Sequence, residues 1–103
     1  PTKSGWWWHG FPKRLGVRQQ WMDRVEFAGV IANGRCYKGN KGRWITFLTL
    51  GTDYGEYIDV VVQKPFSYRD GDIVHGSGKV KHSNNSDYID SNDVKSYTFA
   101  EWR

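Results

Sequence analysis

The sequence predicts an all-β protein of one domain, a small five-stranded Greek-key barrel with an aromatic N-terminal arm. A chain of 103 residues has the length of a single domain with one core. From residue 24 onward, short runs of strand-forming residues alternate with turn segments rich in Gly, Asn and Asp. No strong helical periodicity interrupts them. Short strands at this spacing are typical of small closed barrels.

The turn residues divide this region into five strands. Thr52-Asp53-Tyr54-Gly55 predicts a hairpin turn, and Pro65 ends a strand because it has no N–H to donate. Gly76 and Gly78 predict strong coiling or a bulge within their strand. The segment 65–71 is expected to be a connector without a helix. The predicted strands cover residues 24–37, 44–50, 56–64, 72–82 and 87–97.

Residues 1–23 differ in composition from the rest and predict an arm with a short helical turn at 17–22, ahead of a binding domain at 24–103. Trp6, Trp7 and Trp8 are consecutive, so they cannot all face one side of a strand or helix. Three roles remain open for them: packing over an open end of the barrel, contact with nucleic acid, or docking on a second subunit of a homodimer. Trp21 and Trp102 are expected to be packing residues.

Aromatic content and charge distribution point to recognition. Phe, Trp and Tyr make up 17% of the chain, more than a core of this size needs, so some should lie on the surface. Residues 1–43 hold nine Lys and Arg against two acids, whereas residues 44–103 hold six against nine. The N-terminal half therefore has a net charge of +7 and predicts an electropositive face. A solvated basic surface is the alternative.

The same inventory argues against several classes of protein. Cys36 is the only cysteine, so the chain can form neither an intramolecular disulfide nor a cysteine zinc cluster. A single free cysteine favours a reducing compartment, and we expect the cytoplasm. No apolar stretch approaches a membrane span and no cleavable signal is visible. The three histidines have no metal-ligand spacing and no phosphate-binding loop occurs, so we expect neither an enzyme, a cofactor nor a metal site.

Alternation along the second and third strands predicts their faces. Ile58, Val60 and Val62 share one side of the third strand, which leaves Tyr57 on the other side. The second strand is apolar on both sides, and we assign Leu48 and Leu50 to the interior. Phe47 and Tyr57 then point outward on adjacent strands as a platform for stacking, although a core position is the alternative for either ring.

Three segments resemble the OB-fold family of single-stranded DNA-binding proteins. They are the opening strand with a mid-strand Gly at 25–31, the second strand at 44–50, and the pattern G-D-x-V-x-x-x-G-x-V at 71–80. The resemblance implies an OB fold and binding of single-stranded DNA. The helix that this family places between its third and fourth strands has no counterpart. An acidic C-terminal tail is also missing, so the chain is more similar to the compact members from phages, plasmids or other mobile elements.

The candidate binding residues combine cations, which follow phosphates, with flat rings, which stack on unpaired bases. The Gly-rich segment 35–43 supplies both and corresponds to the loop between strands one and two of an OB fold. A solvated loop is the alternative here, as a solvated strand end is for residues 79–82. The candidates are Arg35, Tyr37, Lys38, Lys41, Arg43, Trp44, Phe47, Tyr57, Lys79, Lys81 and His82.

These features favour a module that binds single-stranded DNA with little regard to sequence, in DNA replication or recombination. Stacking and phosphate contacts serve RNA equally well, so an RNA- or tRNA-binding OB domain stays open. A third hypothesis is an interaction module whose aromatic face docks on another protein.

Overall fold

The computed structural model describes residues 14–84 and 86–102, which form six strands and one short helix. The five predicted strands are confirmed within two residues at either end. The elements are β1 (Val17–Trp21), β2 (Arg24–Lys38), β3 (Trp44–Gly51), β4 (Tyr57–Val62), β5 (Ile73–His82), β6 (Asp87–Tyr97) and α1 (Phe99–Trp102). The arm up to residue 13, with Trp6, Trp7 and Trp8, lies outside the described residues.

Five of the strands close into a barrel in the order β2-β3-β4-β6-β5, and β5 pairs back onto β2. Closure depends on the length of β2, whose first half pairs with β5 and whose second half pairs with β3. All the pairings are antiparallel except β4 with β6. The predicted five-stranded Greek-key barrel is therefore confirmed.

β1 corrects the prediction of a helical turn at 17–22. Residues Val17–Trp21 form a strand that pairs antiparallel with the first half of β2. The sequence VRQQW has neither strand alternation nor many apolar residues, so its conformation follows from the free edge of β2 beside it. Trp21 was expected to pack, but its side chain is 68% exposed.

The barrel interior is filled by alternate residues of the strands. Leu48, Leu50, Val60 and Val62 are fully buried, which confirms the inward face predicted for β3 and β4. Phe27 joins them from β2, and Ile58 packs against the same core. Burial of side chains from every barrel strand is the main source of stability of such a small domain.

A second apolar cluster lies on the other side of β2 and β5. Ala28 and Ile73 alternate with core residues in their strands and pack with Leu15 and Trp102. Trp102 is buried, as expected, and it is delivered by α1. A capping box begins this helix, since Glu101 Oε1 accepts from the Thr98 N–H at 2.7 Å and Thr98 Oγ1 accepts from the Glu101 N–H at 3.2 Å.

The connector between β4 and β5 contains no helix, as predicted. Its Phe66 and Tyr68 pack against the core cluster instead. These two rings cover apolar side chains of that cluster. In the described part of the chain no helix is long and apolar enough to cross a membrane.

Candidate nucleic-acid interface

The outer face of the barrel between β2, β3 and β4 carries most of the candidate residues. Phe47 alternates with the buried Thr46 and Leu48, so its half-buried ring lies on the outer side. The strand register pairs Phe47 with Arg35 on β2 and with Val61 on β4. The outward assignment of Phe47 is confirmed.

Arg35 joins two of the rings on this face. Its guanidinium carbon lies 5.6 Å from the centre of the Tyr37 ring and 5.9 Å from the centre of the Phe47 ring. Both distances fall within cation–π range. A guanidinium over two rings forms a flat, positively charged surface that is partly open to solvent. Such a surface matches both parts of a nucleotide, the base and its phosphate.

A shallow cavity of about 190 Å³ opens beside this cluster and is lined by Asn33, Gly34, Arg35, Phe47 and Thr49. Its polar groups are held in place by hydrogen bonds. Asn33 Oδ1 accepts from the Gly34 N–H at 2.9 Å, and Thr49 Oγ1 donates to Asp59 Oδ1 at 3.3 Å. The cavity therefore offers one ring edge and several fixed polar atoms to a flat ligand.

The loop between β2 and β3 is a tight, basic turn. Gly39 N–H donates to Arg43 O at 2.7 Å, and Gly42 adopts a φ of 77°, which favours glycine. Lys38, Lys41 and Arg43 are exposed around it. Within residues 14–84 and 86–102, no carboxylate lies within 4.0 Å of these three cations. They are free to contact phosphates.

Trp44 and Lys38 belong to the opposite side of this hairpin. They pair with each other across the ladder and share the side of Thr46, whereas Phe47 lies on the other side. Trp44 also precedes Thr46, the first residue of β3 that pairs with β4, so the hairpin projects beyond the barrel wall. The exposed Trp44 ring can therefore contact a nucleic acid on this face only at the rim of the face.

Tyr57 points outward, as predicted, and is 68% exposed. The expectation that it lies beside Phe47 is wrong. Tyr57 pairs with Gly51, whereas Phe47 pairs with Val61, so four residues of β3 separate the two positions. At a rise of about 3.4 Å per residue they are about 14 Å apart. The two rings occupy opposite ends of the face instead of one platform.

The end of the face nearer Tyr57 meets the hairpin of β5 and β6. Lys81, paired with Tyr88, is exposed there, and Lys79, paired with Asp90, is exposed two residues away on β5, in register with Val61 and Phe47. His82 Nδ1 lies 2.7 Å from Asp87 Oδ1, within hydrogen-bond distance, and this contact joins the ends of the two strands. The two lysines therefore lie on the side of the face opposite the β2–β3 hairpin, and His82 contacts the Asp87 carboxylate.

Sequence reasoning missed several residues of this surface. Asn33, Thr49 and Val61 carry no aromatic or charge signal, and only the register places them beside Phe47. Tyr88 had such a signal, because it starts a strand next to the predicted polar loop and alternates with the buried Ile89.

The described residues contain no group of three or more His, Cys, Asp or Glu side chains arranged to hold a metal ion. Glu26 is buried and its Oε2 lies 2.9 Å from His75 Nε2, but this pair lies on the side of the second cluster, with the His75 ring 5.6 Å from that of Trp102. It contributes to packing there and lies outside the aromatic face.

Neither a protein-family model nor a curated protein matches the sequence. Among solved structures, the chain resembles the wild-type single-stranded DNA binding protein from Thermus aquaticus, with a TM-score of 0.67 over 75% of its length. The chain has an OB fold. Sequence identity to that protein is 13%, and the match covers 41% of that chain, so the present chain spans less than half of its length.

The OB fold gives the surface features their positions. The basic β2–β3 loop and the β5–β6 hairpin are the two loops that flank the ligand face of OB folds, and β3 and β4 lie between them. The candidate residues therefore surround the part of this fold that binds oligonucleotides in other proteins. The predicted OB fold is confirmed.

Proposed function

We propose that this chain binds single-stranded DNA, with little dependence on base sequence, across the outer face of its OB barrel. One observation carries the proposal: Arg35 lies over Phe47 and Tyr37, directly beside a basic hairpin whose cations have no carboxylate partner in the described residues. Rings and unpaired cations on one face are what a single strand requires.

Phosphates and bases would be bound by different parts of this surface. Lys38, Lys41 and Arg43 would follow the backbone at one rim, with Lys79 and Lys81 at the other. Counterions released from the strand supply a large part of the binding free energy. Bases would stack on the rings between the rims, and base–aromatic stacking contributes about 1–3 kcal/mol per base for any base.

Arg35 has a defined part in this mechanism. In the structure its guanidinium covers the rings on which a base would stack. A base arriving on Phe47 displaces the guanidinium, which can then pair with the adjacent phosphate. The rings stay covered in the absence of DNA, and the cation exchanges a weak partner for a stronger one.

We also propose a place for this activity. Replication and recombination, including those of phages and other mobile elements, expose single strands in the cytoplasm that need a protein coat. A surface of stacking rings and cations serves such coating and requires no catalytic step.

Quenching of Trp fluorescence on titration with poly(dT) tests the proposal, because Trp44 lies 49% exposed at the rim of the face. We expect saturable quenching that weakens steeply with salt, poor competition by duplex DNA and weaker competition by poly(U) than by poly(dT). Equal or tighter binding of duplex DNA would contradict single-strand recognition. Tighter binding of poly(U) would assign the site to RNA, and binding that is insensitive to salt would indicate a protein partner.

A further inference from the structure

The turn between β1 and β2 presents two large apolar side chains to solvent. Trp21 is 68% exposed and Met22 is 72% exposed, next to each other at the tip of the hairpin. Neither packs in the core clusters of the barrel. An adjacent Trp and Met on an exposed tip are typical of a surface that contacts a binding partner.

The backbone of this tip is strained and held in place. Trp21 pairs directly with Arg24, so the turn consists of Met22 and Asp23 alone. Met22 has a φ of 51°, in the left-handed region where Gly and Asn are favoured. The Asp23 carbonyl accepts from the Val80 N–H at 2.9 Å, which ties the turn to β5. A flexible apolar side chain at a strained, exposed and anchored position points to a function rather than to stability.

The register connects this tip to the DNA-binding face by one row of outward positions. Trp21 pairs with Arg24, and Arg24 pairs with Lys79 on β5. From Lys79 the row continues through β6 and β4 to β3, by way of Asp90, Val61 and Phe47. Trp21 and Phe47 therefore lie at the two ends of the row. The cations Arg24 and Lys79 lie between them, in the half of the row nearer Trp21.

We propose that Trp21 and Met22 form a second stacking site for the same single strand after it leaves the OB face. This inference rests on the proposed function. Charge favours a nucleic acid as the occupant, since neither Arg24 nor Lys79 has a carboxylate at ion-pair distance in the described part of the chain. The one acid of the row, Asp90, accepts a hydrogen bond from Gln63 Nε2 at 3.2 Å.

The spacing of the two sites gives the proposal its test. Phe47 and Trp21 are separated by five strand-to-strand steps, which is about 24 Å along the sheet at about 4.8 Å per step. A short oligonucleotide can occupy only one end of this path, whereas a long one can reach both. Loss of Trp21 should therefore weaken only the binding of long oligonucleotides.

The experiment compares an oligonucleotide of about 16 thymidines, at the long end of the range for one OB fold, with a thymidine trimer, whose extended backbone is too short to reach from Phe47 to Trp21. Affinities are measured by fluorescence anisotropy for wild type, Trp21→Ala, Met22→Gly and Phe47→Leu. Phe99→Ala is the matched control, because Phe99 is also an exposed aromatic residue but lies on α1. Thermal melts confirm that each variant is folded. Met22 is replaced by Gly because Gly readily adopts the positive φ of residue 22.

We expect Trp21→Ala to weaken binding of the long oligonucleotide about tenfold, Met22→Gly to weaken it less, and both to leave the short one unchanged. Phe47→Leu should weaken both, Phe99→Ala neither, and Trp21→Phe should restore most of the affinity. If Trp21→Ala binds the long oligonucleotide like wild type while Phe47→Leu does not, the second site is refuted and the proposed function stands. A dimer that Trp21→Ala converts to monomer, with unchanged DNA binding, would refute it in favour of a protein interface. Failure of wild type to bind either oligonucleotide would refute both proposals.

Discussion

At the scale of single residues, alternation along a strand predicted which way a side chain points but not what it stands beside. Tyr57 and Phe47 both point outward, as their positions relative to the buried Val60 and Leu48 require. Their separation depends on the register of β3 and β4, which the turn at 52–56 sets through the pair of Gly51 and Tyr57. A parity argument contains no information on this register, because it treats each strand alone.

The separation of the two rings predicts additive effects on binding. Tyr57→Ala and Phe47→Leu should each cost about 1–3 kcal/mol of single-strand binding, the range for loss of one stacked base. Because the rings are about 14 Å apart, the double variant should lose the sum of the two within about 0.5 kcal/mol. Binding isotherms of the four proteins complete the double-mutant cycle.

Thermal melts of the same proteins separate binding from folding. Tyr57 is exposed, so Tyr57→Ala leaves no core cavity and should melt close to wild type, whereas loss of a buried ring costs about 3–5 kcal/mol of stability. A strongly lowered melting temperature would show that Tyr57 packs. A coupling energy well above 0.5 kcal/mol would show that one base contacts both rings.

At the scale of elements, strands bounded by strong turn residues could be predicted from sequence, and those decided by a neighbouring strand could not. The Gly-rich loop at 39–43 and Pro65 mark β3 and β4 closely. β1 has no such signal, and its five residues are a strand because β2 offers an unpaired edge. α1 was missed for a related reason, since four residues are too few for periodicity and its stability comes from the burial of Trp102.

The candidate site shows the same division. The four cations and the Tyr37 ring of segment 35–43 could be found because composition alone singles them out. Asn33 and Thr49 could not, since small polar residues in a strand are common and only pairing places them at the cavity. Trp44 was found, but its position across the hairpin from Phe47 follows from the ladder.

The β2–β3 hairpin makes an element-scale prediction about salt. Lys41→Ala combined with Arg43→Ala should weaken binding about equally for all base sequences. Each lost phosphate contact lowers the slope of log K against log salt by about 0.7 for a single strand, so the double variant should lose about 1.4. The slope is measured by repeating the titration across a series of salt concentrations.

Lys95→Ala serves as the control for overall charge, because Lys95 is exposed but pairs with His75 outside the face. It should leave the slope nearly unchanged. An unchanged slope in the Lys41 and Arg43 variant would show that these side chains do not contact phosphates.

Gly78 makes an element-scale prediction about stability. The ladder of β5 and β6 shifts register between Ser77 and Lys79, which confirms the predicted bulge, and a Cβ on Gly78 would overlap the backbone oxygen of Asp90. Because backbone cannot move aside as a flexible side chain can, Gly78→Ala should destabilise the fold by about 1–3 kcal/mol or more. Denaturant titration measures the loss, with the exposed Ser96→Ala as control. A variant as stable as wild type would mean that the two strands can separate at the bulge without cost.

At the scale of the whole molecule, the barrel divides its surface between two tasks. One side of β2 and β5 packs the second cluster with Trp102 and α1, while the face of β2, β3 and β4 stays open with its rings and cations. The basic N-terminal half of the sequence contributes β1, β2 and the β2–β3 loop, so its charge is distributed along the path proposed for the strand. Stability and the proposed binding therefore depend on largely separate residues.

This separation predicts a large stabilisation by ligand. A single strand that binds only the folded barrel raises the free energy of unfolding by RT ln(1 + [L]/Kd), about 2.7 kcal/mol at a free ligand concentration of 100 Kd. For a domain of this size each kcal/mol raises Tm by about 4–8 °C, so (dT) of saturating length should raise it by roughly 10–20 °C.

Differential scanning fluorimetry or circular dichroism measures the shift, with duplex DNA at the same nucleotide concentration as the comparison. Duplex should give a much smaller shift, because its bases are already stacked and only its phosphates remain to be bound. The shift with single strands should also fall as salt is raised, since the counterion contribution to Kd falls with it. Strong binding without any rise in Tm would mean that the unfolded basic chain binds DNA as well as the folded barrel does, and the assembled face of rings would then contribute nothing.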